Sequence, residues 1–255
     1  MNLTSTVEII RGKGDEFTKE KDIVIREFPL KIIVNEQELV TLVCTPRNLD
    51  ELAVGYLFGE GLIKNKDDIQ KIELTGSDIN FNLAKNMQLL KERRNLIITS
   101  SSGKVSANMD IKNFNLELDD TKVAYKYKYE MADVLSTSSE LFKGTGGVHS
   151  ALLCDFTNKF TVFREDIGRH NAVDKIVGYM ILNQISPQAK VLVISGMISS
   201  EILLKTARCG VSILVSRSAP TDLAINLANQ LGITVIGFVR GQRMNIYSHA
   251  DMIIT

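Results

Sequence analysis

Between residues 190 and 240, short apolar runs alternate with longer amphipathic ones. Val191–Ile194, Ile213–Ser216 and Thr234–Val239 are rich in Val and Ile and read as strands. Ser199–Cys209 and Ala219–Leu231 carry apolar residues at helical spacing between them. Parallel strands need a crossover of about a dozen residues, usually a helix, so two such units in succession predict a sheet with parallel neighbours. The strand runs are apolar at consecutive positions, the pattern of strands covered on both faces. The predicted class is therefore α/β at this end of the chain and α+β overall.

Upstream the pattern differs. Pro29–Val34 and Glu38–Cys44 flank Asn35-Glu36-Gln37 as a predicted hairpin. Asn48 is placed to cap a helix that carries Leu49, Leu52, Ala53, Tyr56 and Leu57 and stops near Gly59–Gly61. Ile69–Leu74, Ile79–Leu83 and Leu96–Thr99 read as short strands, and Thr99–Lys104 reads as a loop. A helix over Met131–Phe142, strands over Val148–Cys154 and Phe160–Phe163, a helix from about Gly168 to Leu182 and a strand at Met244–Tyr247 complete the reading. The expected organisation is a polar lead-in at 1–22, a smaller β-rich domain at 23–128, and a larger domain at 129–255, with the boundary between 105 and 130.

Charge excludes some functions. Lys plus Arg and Asp plus Glu are 30 each, so no bulk field draws nucleic acid or membrane to the chain. The alternation Tyr125-Lys126-Tyr127-Lys128-Tyr129 has the residue types of a single-strand stacking platform, but in a neutral chain it reads as a strand with one basic face. The first twenty residues hold no apolar stretch after a basic start, and no run reaches membrane-spanning length, so a cytoplasmic protein is expected. Cys44, Cys154 and Cys209 lie far apart without a CxxC and read as buried small hydrophobes.

The unusual residues gather at strand–helix junctions, where open α/β sheets bind ligands. They are Gly144–His149, Arg164–Asn171, Ser195–Ser200, Ser216–Thr221 and the turn Phe238–Arg243. Glycines such as Gly146 and Gly147 let backbone N–H groups approach a ligand, and helix N-termini favour anions. The forks of Arg169, Arg217, Arg240 and Arg243 suit phosphate. His149 and His170 are placed to donate to phosphate or shuttle a proton near neutral pH. Asp166 and Ser199 belong to the same junctions, though Ser199 and Thr221 also read as helix caps, and Asp166 and Asp174 as exposed types. Together these predict a site for a phosphate-bearing small molecule.

The same segments resemble the FdhD family of formate dehydrogenase accessory proteins. The resemblance rests on Cys44-Thr45-Pro46-Arg47-Asn48-Leu49-Asp50-Glu51-Leu52, Gly55-Tyr56-Leu57, Thr145-Gly146-Gly147-Val148-His149, Glu165 through Lys175, Ser195–Glu201, Ser216–Thr221 and Gly237–Ser248. It runs from about residue 25 to the end, and Glu-Asp-Ile-Gly-Arg-His-Asn-Ala-Val-Asp-Lys is highly specific. It implies a three-layer, cytidine deaminase-like C-terminal domain. The deaminases' own zinc residues are missing at the comparable junctions, so neither zinc nor deamination is expected. It further implies binding of the bis-guanine-dinucleotide molybdenum cofactor, with Phe238, Val239, Arg240, Gly241, Gln242 and Arg243 in the binding stretch and GDP as a cofactor fragment. The implied partners are formate dehydrogenase, a cysteine desulfurase that supplies sulfur as a persulfide, and a second copy of the chain.

Two departures matter. The resemblance places persulfide-carrying cysteines where this chain has Ser101 and Ser102, before Gly103-Lys104. A persulfide needs a thiolate, which a serine hydroxyl cannot replace. Cys44 is the remaining substitute to consider. Met197 stands where relatives often carry Arg. Two functions follow as expectations: a carrier that passes sulfur to the cofactor, or a cofactor-holding chaperone that does not.

Overall fold

The computed structural model describes residues 1–84, 96–98, 123–124, 133–135, 137–155 and 161–254. The chain opens with a hairpin, β1 (Thr4–Lys13) and β2 (Glu16–Ile25), in place of the expected loose lead-in. One of its faces pairs Arg11 with Glu20 and Asp22, while Ile10, Phe17 and Ile23 stand exposed on the other. With apolar and charged residues on both faces, its sequence shows no clean alternation to read.

A five-stranded sheet follows, built from β3 (Phe28–Val34), β4 (Gln37–Cys44), β5 (Ile69–Thr75), β6 (Asp78–Leu83) and β7 (Leu96–Ile98) in the order β5-β6-β3-β4-β7. The predicted hairpin forms around Asn35 and Glu36, which both take positive φ, as a two-residue turn between twisted strands requires. Helix α1 (Leu49–Gly59) starts after Asn48, as expected. Asn48 itself is left-handed and its side chain makes no cap, which corrects the capping expectation. The short strand β8 (Val123–Ala124) pairs with a C-terminal strand.

The expected helix at 131–142 is interrupted. Residues 133–135 are helical, then Ser139 caps a separate short helix, α2 (Glu140–Thr145), by accepting from the Phe142 N–H. A six-stranded mixed sheet holds the rest: β9 (His149–Asp155), β10 (Thr161–Asp166), β11 (Lys190–Ile194), β12 (Ile213–Ser216), β13 (Thr234–Arg240) and β14 (Arg243–Ser248). Their order is β10-β9-β11-β12-β13-β14. The central trio β11, β12 and β13 is parallel, as the alternation predicts, and the flanking pairs are antiparallel. Helices α3 (Arg169–Leu182), α4 (Ser200–Arg208) and α5 (Asp222–Leu231) make the connections, and β15 (Ile253–Ile254) ends the described chain beside β8.

One hydrophobic core crosses both sheets, taking in Leu30, Ile32 and Leu42 of the first, Leu192, Ile194 and Leu214 of the second, and helices α1, α3, α4 and α5. Alternate sheet residues, Val191, Val193, Ile213 and Val215, face the other way into a second cluster with Leu135. This two-sided burial explains the unbroken apolar runs. Helices α1 and α3 cross at two glycines: a Cβ on Gly55 would sit 1.8 Å from the Asp174 carbonyl oxygen, and one on Gly178 would sit 1.8 Å from that of Glu51. No helix among the described residues is long and apolar enough to cross a membrane.

Candidate functional site

The sheet directions bring five chain segments to one edge. β9 begins there, because it runs antiparallel to β10 and β11, and β10, β11, β12 and β13 all end there. Beneath that edge lies a buried polar seam that joins the two halves of the chain. Asp166 has no solvent exposure. Its Oδ1 accepts from the Gly168 N–H (3.0 Å) and Asn171 Nδ2 (2.9 Å). Its Oδ2 accepts from the Thr45 N–H (3.0 Å), Thr45 Oγ1 (2.9 Å) and Lys175 Nζ (2.7 Å). Lys175 also donates to Thr45 Oγ1 and to the Glu165 carbonyl, and Asn171 to the Val43 carbonyl. Nearby, Arg164 grips Glu51 with two nitrogens and lies 5.0 Å over the Tyr179 ring, and Lys205 pairs with Asp174 at 2.6 Å. Much of the Glu165–Lys175 motif therefore holds the β4–α1 turn against α3. The exposed-type expectation for Asp166 and Asp174 fails because each carboxylate has a buried lysine partner, without which burial would be prohibitive.

Above the seam opens a cleft of about 630 Å³, lined by Leu135, Ser139, Phe142, Gly146, Gly147, Val148, His149, Ser150, Ser195, Arg217 and Arg240. Its walls are fixed by short-range bonds. The Ser150 N–H donates to Ser195 Oγ (2.9 Å) and the Ser195 N–H to the Ser150 carbonyl (3.0 Å), locking β9 to the end of β11. Ser216 Oγ donates to the Gly196 carbonyl (2.7 Å), and Arg240 Nε to the Arg217 carbonyl (3.2 Å). Ser139 ties the rim downward by donating to Glu165 (2.6 Å). No carboxylate lines the cleft among the described residues, and its polar side groups are donors or hydroxyls. Such a lining can hold an anion.

Of the residues singled out from sequence, the cleft gathers Gly146, Gly147, His149, Arg217 and Arg240. Arg169 lies just behind, its side chain and His149 both packed beside Gly196. Val239 is fully buried in the second core cluster and Asp166 in the seam, so neither faces a ligand. Phe238 is half-buried, left-handed at φ 54, and donates its N–H to the Ser218 carbonyl. Gly241, Gln242 and Arg243 form the exposed β13–β14 turn, beyond the cleft lining. Ser199 caps α4 and lies 3.4 Å from His170 Nε2, as does Glu201 Oε2. Burial first, then Lys205, Arg169 and His149, push the His170 pKa down to about 3, which rules it out as a proton shuttle near neutral pH. His149 is also lowered, by burial and then by Arg169. Met197 is exposed on the β11–α4 loop.

Cys44, Cys154 and Cys209 are buried, as read, and burial pushes each thiol up to about 12. Cys44 is thereby a poor substitute nucleophile, and Ser101 and Ser102 lie outside the described residues. The sequence reading missed Ser139, Ser150 and Ser195. Ser195 stood in a flagged junction, but its locking bond to β9 depends on a pairing across 45 residues.

These features define a mixed α/β protein whose main sheet opens, at one edge, into a basic cleft with a glycine rim. The chain belongs to the FdhD/NarQ family, whose model matches residues 25–254. It is 44% identical over 247 residues to the sulfur carrier protein FdhD of Bacillus pumilus, covering 93% of each chain. It is 40% identical to the protein of that name in Bacillus licheniformis, covering 99% of this chain and 98% of the relative. A crystal structure assigned as a formate dehydrogenase accessory protein from Desulfotalea psychrophila matches with a TM-score of 0.83 at 25% identity, covering 99% of this chain and all of that one.

Proposed function

We propose that this chain is an accessory protein for formate dehydrogenase that holds the bis-guanine-dinucleotide molybdenum cofactor as cargo, with phosphate seated in the cleft. The observation that carries this reading is the convergence of Arg217, Arg240, His149 and the Gly146–Gly147 backbone on one cavity free of described carboxylates. A cleft of about 630 Å³ falls within the range of small-molecule sites, about 300–1,000 Å³, and suits one nucleotide end of the cargo rather than the whole. The family relationship supplies the client and the cargo class.

Sulfur transfer is a separate question. The relatives named above are called sulfur carriers, which favours passage of sulfur from a cysteine desulfurase to the cofactor. In this chain every cysteine is buried, with its thiol held in the protonated form at neutral pH. Thiolate is the form that takes up sulfur. The reading we favour is therefore a holder of the cofactor without a persulfide of its own.

Calorimetry with GDP tests the cleft. GDP binds the wild-type chain, and Arg240→Ala weakens it about tenfold, the loss of one charge-assisted contact of roughly 1.4 kcal/mol. Arg243→Ala, in the turn outside the cleft, changes it little. Absence of GDP binding, or equal affinity in Arg240→Ala, sinks the reading.

A further inference from the structure

We infer that the cleft holds two anionic groups at once, with Arg169 and His149 forming a second subsite beside that of Arg217 and Arg240, so that its ligand class is a nucleoside diphosphate rather than a monophosphate. This rests on the phosphate-cargo reading above and specifies what that cargo must carry.

Arg169 is the departure from rule. The other half-buried and buried cations around the seam are matched: Arg164 by Glu51, Lys175 by Asp166 and Lys205 by Asp174. Arg169 makes no hydrogen bond or ion pair with any described residue, and its Nε is buried without an acceptor. A buried donor left unmatched is costly, and a cationic one more so. Arg169 is also the first residue of α3, whose N-terminus receives no side-chain cap and has no acidic residue in its first turn. The positive end of that helix is thus left without a protein anion.

Gly196 connects this cation to the cleft. A Cβ there would lie 3.2 Å from Arg169 Cβ and 3.4 Å from both Arg169 Cδ and His149 Nδ1. The missing side chain is the space in which the arginine stem and the imidazole lie together, and His149 lines the cleft. On the sheet edge, His149 opens β9 and Arg217 follows β12, with β11 between them. Two strand spacings place these backbones roughly 10 Å apart. One phosphate cannot sit against both anchors, whereas long side chains reaching inward from each side can close on two linked phosphates.

The test measures GDP and GMP binding to the full chain by calorimetry, in wild type and in Arg169→Gln. In the wild type GDP binds at least about tenfold tighter than GMP, and in Arg169→Gln the two come within about twofold because GDP alone loses affinity. Arg169→Gln melts no lower than wild type without ligand, since it removes a charge that no described residue matches. Equal GDP and GMP affinity in the wild type, an unchanged ratio in the variant, or a lower melting temperature overturns the second subsite. Absence of binding by both nucleotides overturns the phosphate-cargo reading itself, and this inference with it.

Discussion

His170 lies within 3.4 Å of both Ser199 and Glu201, yet it is held neutral. Its folded pKa is about 3 against an ordinary value of 6.5. The unfolded chain therefore binds a proton between those values that the native chain refuses. Stability from this residue is complete above about pH 6.5 and falls as the pH drops through that window. Urea denaturation at pH 7 and pH 5 should show a smaller loss in His170→Asn than in wild type; equal losses would remove His170 from the account. Residue type alone misreads such positions. A histidine beside glycine at a junction looks like a proton shuttle, and an aspartate looks exposed. What sequence cannot show is the lysine or the apolar wall that folding brings from far along the chain. Asp166 meets Thr45, 121 residues away, and Lys205 meets Asp174, 31 residues away.

At the level of elements, the crossing of α1 and α3 depends on Gly55 and Gly178, each with the opposite backbone where a Cβ would be. In an exposed helix, glycine to alanine gains up to about 1 kcal/mol of helix propensity. Here Gly178→Ala should instead cost about 3 kcal/mol or more, because two backbones must part. Guanidinium denaturation decides the sign, and a stabilised variant would refute the close crossing. Element type was legible wherever burial imposed a single period. The parallel trio β11, β12 and β13, their helices and the β3–β4 turn follow from spacing and turn chemistry. The β1–β2 hairpin was not legible, because neither face is buried enough to impose alternation. The helix expected at 131–142 broke because Ser139 spends its hydroxyl on a new N-cap and on Glu165.

The whole molecule joins two sheets through one core and one polar seam, so the conserved-looking motif at Glu165–Lys175 serves assembly as much as binding. The junction glycines, His149, Arg217 and Arg240 were legible as a phosphate site because anion recognition needs those residue types at strand ends. Their separation from Val239, Asp166 and Arg243 was not, since neighbours in sequence face opposite ways on a sheet. At this scale the account says that the chain carries a cofactor in its cleft and no sulfur on its cysteines. The direct measurement is the mass of the protein purified from a host that assembles the molybdenum cofactor, recorded both native and denatured. We predict a native mass that includes molybdenum and guanine nucleotide, and a denatured chain at the mass of its sequence. A native protein without cargo, or a denatured chain heavier by sulfur on a cysteine, would contradict the account.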